Sequence, residues 1–161
     1  MTLSFRANPV DAIEDVAQGR DWSFRRFADD EIALDLVGAW TRYEASFAWL
    51  EAHEALHVTC AFDLAIPSER FDEALRLVSQ VNEQLVLGHF ELWQGDGVVM
   101  FRHALPLHGG AEATGDQIEA LAAHALDACE RHYQAFQFVV WAGKSASDAL
   151  ESVLFETVGN A

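Results

Sequence analysis

The apolar positions of this chain change period along its length, and the changes mark its elements. Asn8-Pro9 precedes Val10, Ile13, Val16 and Ala17, a helical spacing, and Gly19 closes that segment. Asn accepts a hydrogen bond from the free N–H groups that open a helix, and Pro at the first position loses no bond. From Trp22 the period drops to two. Trp22, Phe24 and Phe27 flank Arg25 and Arg26, and Ile32, Leu34 and Leu36 alternate with Ala33 and Asp35. Tyr43, Ala45, Phe47 and Trp49 then alternate with Glu44, Ser46 and Ala48, and Val58, Cys60 and Phe62 with Thr59 and Asp63 in a run from His57 to Leu64. Alternation sends each set to one face of a strand. Asp29-Asp30, Gly38 and His53-Glu54 supply short turns, so the pattern predicts a meander of four antiparallel strands.

Pro67-Ser68 ends this rhythm. Phe71, Leu75, Val78, Val81 and Leu85 form a stripe at helical spacing, with Glu69, Asp72, Glu73, Arg76, Gln80 and Glu83 opposite, and Gly88 stands where a C-cap would fall. Phe90 to Trp93 and Val98 to Leu105 read as two strands joined by a turn at Gly95-Asp96-Gly97. After a loop from Pro106 to Ala113, Thr114 and Gln117 match a capping box, and Ile118, Leu121, Ala125, Cys129, His132 and Phe136 continue as a helical stripe. Phe138 to Trp141 is apolar on every side and is expected to be deeply buried. Gly143 breaks the run, and a last helix capped near Ser145–Asp148 is expected to turn Leu150, Val153, Leu154 and Val158 inward. Helix, strands, helix, two strands and C-terminal helices make an α+β pattern, with helices packed on an antiparallel sheet.

The 161 residues suit one domain spanning 1–161, and 51% hydrophobic content excludes a disordered chain. Ten Lys and Arg against 26 Asp and Glu give a net charge of −16, which repels phosphate backbones and anionic lipid. Nucleic acid and membrane are therefore excluded as general partners, and a basic polypeptide is favoured. The opening Met1–Arg6 carries no long apolar run, and no uncharged stretch reaches the roughly 20 residues of a membrane helix, so cytoplasmic residence is expected. Cys60 and Cys129 lie far apart in apolar surroundings and read as buried thiols.

Seven histidines raise the question of a metal. His53 and His57 are four apart, a spacing for a helix face, but the alternation puts them around a strand turn where they do not converge. His89, Glu91 and His103 flank the later hairpin, and a metal-dependent hydrolase built on them is the alternative function. His132 reads as a hydrogen-bonded core residue and His124 as an exposed one. There is no Gly-x-Ser-x-Gly elbow, and Gly143-Lys144-Ser145 lacks the upstream glycine of a phosphate loop. No catalytic, cofactor-binding or metal-binding residue is therefore assigned. Trp and Tyr are favoured at interfaces, and Phe90, Trp93 and Trp141 are the nominated partner-binding residues.

Several runs resemble the YbjN family of bacterial proteins. They are Asn82-Glu83-Gln84-Leu85-x-Leu87-Gly88-His89-Phe90-x-Leu92-Trp93, Phe101-Arg102-His103-Ala104-Leu105, Cys129-Glu130-Arg131, Ala135-Phe136-Gln137-Phe138-Val139, Gly143-Lys144 and Glu156-Thr157-Val158-Gly159. The resemblance runs from Asn8 onward; Gln134 stands where the family often carries proline. It implies a regulator of sensory transduction with a fold like type III secretion chaperones, in which three rather than four strands precede the second helix. It also implies an acidic homodimer that holds a protein partner, and it carries over no catalytic residue. The expected function is thus a non-enzymatic, protein-binding regulator or chaperone-like adaptor without a cofactor.

Overall fold

The computed structural model describes residues 6–159, excepting the side chains of 156–159. Helix α1 runs Pro9–Gly19, and Asn8 caps it by accepting from the Val10 N–H. Its exit is made by a left-handed Asp21 (φ 55°) rather than by Gly19, and the turn lets the Trp22 N–H donate to the Ala17 carbonyl. Then follow β1 (Phe24–Ala28), β2 (Glu31–Val37), β3 (Arg42–Leu50) and β4 (Ala55–Ala61). Helix α2 (Phe71–Asn82) leads to β5 (His89–Trp93) and β6 (Val98–Pro106), and α3 (Gly115–Trp141) and α4 (Ala146–Gly159) finish the chain. The strands form one antiparallel sheet in the order β1-β2-β3-β4-β6-β5. Four strands do precede α2; the extra one is β1, short and interrupted by a bulge between Arg26 and Ala28.

Register explains why one face of the sheet is core. The row Phe24, Leu34, Ala45, Cys60, Phe101, Phe90 crosses all six strands by direct pairing, and its members face the helices. Its small members, Ala45 and Cys60, sit mid-sheet, where α3 brings Cys129 into contact with Cys60. The larger rings Phe90 and Phe101 stack on the flank with Phe62 and Phe136. The neighbouring row, Arg25, Ala33, Ser46, Thr59, Arg102, His89, is polar or small and faces away from the helices.

Some expected details differ. Helix α2 buries Ala74, Leu77, Val78 and Val81, while Leu75 is exposed, because the sheet meets a face rotated from the stripe of large residues. It ends at Asn82, so Gly88 is not its cap; Gly88 (φ 74°) opens β5 where a Cβ would strike Phe101 and the Arg102 carbonyl. Strand β4 starts two residues before His57 and stops at Ala61. Phe138–Trp141 is not buried as a block: α3 stays helical through it and through Gln134, so Val139 faces the core while Trp141 is 67% exposed. Helix α4 seats Ala146 and Ala149 and leaves Leu154 exposed; Val158 lies outside the described side chains, as Met1–Phe5 lie outside the described residues. The capping box is present, with Thr114 and Gln117 bonded reciprocally. No helix among the described residues is long and apolar enough to cross a membrane.

Candidate functional site

The nominated residues divide between the two faces of the sheet, because odd and even positions of a strand point opposite ways. On β5, Phe90 faces the helices and is 1% exposed, so its ring is not available to a partner; its neighbours are Phe62, Phe101, His132 and Phe136. His89, Glu91 and Trp93 point to the open face. There the Glu91 carboxylate accepts from His89 Nε2 at 2.9 Å, from Arg102 Nη1 at 2.9 Å and from the Trp93 indole at 3.1 Å. Arg102 in turn donates from Nε to His57 Nε2 at 3.2 Å on β4, which requires His57 to be neutral with its proton on Nδ1. The result is a polar network across β5, β6 and β4. Trp93 hangs from it with its ring 46% exposed at the end of the edge strand.

This network is poor acid–base machinery. The His89 hydrogen bond, with those of Arg102 and Trp93, holds Glu91 at about 2, far below the range of a useful general base. Burial, then the Arg102 charge, pulls His57 below its ordinary value. His103 does not join His89 and Glu91: it lies two residues after Phe101 on the helix-facing side, with its ring 6.1 Å from that of His124 on α3. His124, expected to be exposed, is half-buried with Nδ1 sealed and unbonded.

The segment His53-Glu54-Ala55-Leu56-His57 spells the His-Glu-x-x-His letters of a zinc-protease helix. Its backbone denies that geometry. His53 ends a 3₁₀ turn, Glu54 is left-handed (φ 44°), and His57 sits in β4. Among the described residues, no group of three or more His, Cys, Asp or Glu side chains is placed to hold a metal ion.

Trp141, the third nominated residue, ends α3 far out in solvent. Phe155 on α4 is likewise exposed, and it lines a shallow cleft with Phe138 and Lys144, whose ammonium lies 4.9 Å over the Phe138 ring. Trp40, in the β2–β3 turn, is 72% exposed and was not singled out in the sequence. Its position between Ala39 and Thr41, outside any alternating run, is the one signal that could have marked it as uncovered.

Comparison with known proteins places these features in a fold. The family model YbjN, described as "Putative bacterial sensory transduction regulator", matches residues 9–138. Among solved structures, YbjN from E. coli, described as a putative transcription regulator, superposes with a TM-score of 0.55 at 10% identity, covering 75% of this chain and 85% of that one. A chain of the ExsC–ExsE complex gives 0.56 at 16% identity, over 82% of this chain and 94% of that one. A chain of the HopA1–SchA chaperone–effector complex gives 0.50 at 13% identity, over 73% and 87%. No curated protein matches the chain. The fold is therefore α+β and like that of type III secretion chaperones, as expected, with a six-stranded sheet.

Proposed function

Because the chain belongs to the YbjN family of bacterial sensory transduction regulators, we propose that it is a non-enzymatic, protein-binding regulator or adaptor, homodimeric and cytoplasmic. The observation that carries this reading is the Trp93 ring, held half-exposed on the open sheet face by its indole bond to Glu91. A large ring fixed before contact loses little entropy on binding, which is the property of an interface anchor. Support also comes from the Glu91 network, which ties up the one carboxylate of the hairpin that acid–base chemistry would need. The charge of −16 favours a basic polypeptide and disfavours nucleic acid, since complementary fields speed encounter. Trp141 is the second nominated anchor.

The test is affinity capture from native lysate with wild type, Trp93→Ala and Trp141→Ala, after melts show that the variants are folded. Trp93→Ala is expected to lose captured protein while its folding stability falls by no more than about 1 kcal/mol, as suits a half-exposed ring. A drop of about 3–5 kcal/mol would make Trp93 a core residue and end its role as an anchor. Light scattering is expected to give about 36 kDa, twice the 17.9 kDa chain; a mass of one chain at micromolar concentration would remove the dimer.

A further inference from the structure

The hold on Trp93 runs through a chain of hydrogen bonds that begins at an imidazole. Strand parity puts His57 of β4, Arg102 of β6 and His89, Glu91 and Trp93 of β5 on the same open face of the sheet. Arg102 Nε donates to His57 Nε2 at 3.2 Å, and Arg102 Nη1 donates to both Glu91 oxygens, at 3.0 and 2.9 Å. Glu91 Oε2, oriented by that contact, accepts the Trp93 indole at 3.1 Å. A guanidinium only donates, so the first link exists only while His57 Nε2 carries a lone pair. Once protonated, that nitrogen is a donor aimed at a donor, and two positive charges meet. Arg102 has somewhere to go, since its side chain is 34% exposed.

Few charges face His57. Its direct neighbour on β3 is Ala48, behind which Glu31 lies on β2 in the same row. From β6 it meets Ala104 and Arg102, and beyond Arg102 stand His89 and Glu91 on β5. Burial and then the Arg102 charge pull His57 below its ordinary 6.5; Glu91 opposes them and His89 adds to them. The link to Arg102 and a proton on His57 therefore exclude each other. Above pH 6.5 the ring is neutral and the link is made; as pH falls, the proton favours the arrangement in which Arg102 has let go. Glu91, held at about 2, stays ionised throughout mild acid. Protonation of His89 leaves its Nε2–H donating to Glu91, so that residue does not open the chain.

We propose that His57 is a pH-sensitive latch on Trp93: its neutral ring holds Arg102 against Glu91 and so orders the indole, and its protonation in mild acid releases Arg102 and loosens the indole. This rests on the reading of Trp93 as the partner anchor and adds the regulation of that site. The surface is ordered for a partner at neutral pH and loses that order as the medium acidifies.

The experiment is NMR on the full nitrogen-15-labelled chain between pH 7.5 and pH 5, without a partner. Imidazole nitrogen shifts report the tautomer and titration of His57, and Trp93→Phe identifies the Trp93 signal among the five indoles. At pH 7.5 neutral His57 is expected to carry its proton on Nδ1. Protection of the Trp93 indole N–H from solvent exchange, taken relative to the exposed Trp40 indole at the same pH, is expected to fall along the His57 titration curve by roughly fivefold, the worth of one hydrogen bond. His57→Gln keeps an acceptor for Arg102 and cannot titrate, so its ratio should stay flat with pH. Arg102→Gln breaks the chain and should show low protection at both ends of the range. A His57 proton on Nε2 at pH 7.5 overturns the latch. So does a Trp93 ratio that stays constant while His57 titrates, a fall that persists in His57→Gln, or full protection in Arg102→Gln. Failure here leaves the capture test of Trp93 at neutral pH standing, and failure of that capture removes the anchor without touching the indole's response to pH.

Discussion

His132 should make this protein lose stability in mild acid, by an amount its surroundings set. Its ring is 4% exposed, packed edge-on against Phe90 at 5.8 Å, and its Nε2 is sealed without a partner. A proton added there would create a charge with nothing to receive it. Burial, with help from the Arg131 charge and against that of Asp127, pulls His132 from 6.5 to about 4. The unfolded chain therefore takes up a proton near pH 6.5 that the folded chain refuses until about pH 4. Stability linked to this residue is full above pH 6.5 and falls as pH drops through that window. By pH 4 the loss reaches about 3 kcal/mol, a large share of an ordinary domain's 5–15 kcal/mol. His57 and His103, also pulled down chiefly by burial, slope the same way, so the wild-type profile alone does not isolate His132. Urea unfolding of wild type and His132→Leu at pH 7, 6, 5 and 4 does. The variant should lose about 3 kcal/mol less between the ends of the series. Parallel profiles would show that the ring is protonated, or the site hydrated, in the folded state.

Two further outcomes follow from particular contacts. Cys60 and Cys129 are fully buried, and contact with Cys60, added to burial, pushes the Cys129 thiol up, so Ellman's reagent should find no reactive thiol in native protein and both in urea; fast native reaction would mean that α3 lifts from the sheet. Asn82 bonds both backbone groups of Phe90, donating to its carbonyl at 3.0 Å and accepting from its N–H at 2.8 Å, so Asn82→Ala should cost about 2 kcal/mol in urea unfolding; a loss under about 0.3 kcal/mol would show that water replaces the amide freely.

The strands were legible because each has one covered face. Ile32, Leu34 and Leu36 alternate with the small Ala33 and the polar Asp35, and Tyr43, Ala45 and Phe47 with Glu44 and Ser46, as suits strands that helices cover on one side and not the other. The helices were less legible where large and small apolar residues compete for the core. α2 seats Ala74 and leaves Leu75 out, and α4 seats Ala146 and Ala149 while Leu154 and Phe155 stay exposed. A short side chain lets a helix approach the layer beneath it, and no hydropathy pattern rewards that. Phe138–Trp141 shows a related limit. Four apolar residues in a row span one helical turn, so they cannot all face one side, whatever their composition.

The candidate surface was legible only in part, and strand parity separates what was read from what was missed. Phe90 and Trp93 lie three apart, both aromatic, at opposite parities of one strand. Sequence gives that parity, but not which parity meets the helices; Phe101, paired directly with Phe90 in the sheet, decides it. The same logic sends His103 to the core side and His89 to the open side, so three residues that look like a cluster along the chain cannot form one. What no local pattern could show is the hold on Trp93. Glu91 is two residues away on the same face, yet its grip on the indole depends on Arg102, which comes from the next strand and is itself bonded to His57 on a third. An exposed tryptophan alone would be a weak argument for a partner. A tryptophan positioned by a network spanning three strands, on the one sheet face the helices leave open, is a stronger one, because ordering that ring in advance serves the folded monomer little and a bound partner considerably.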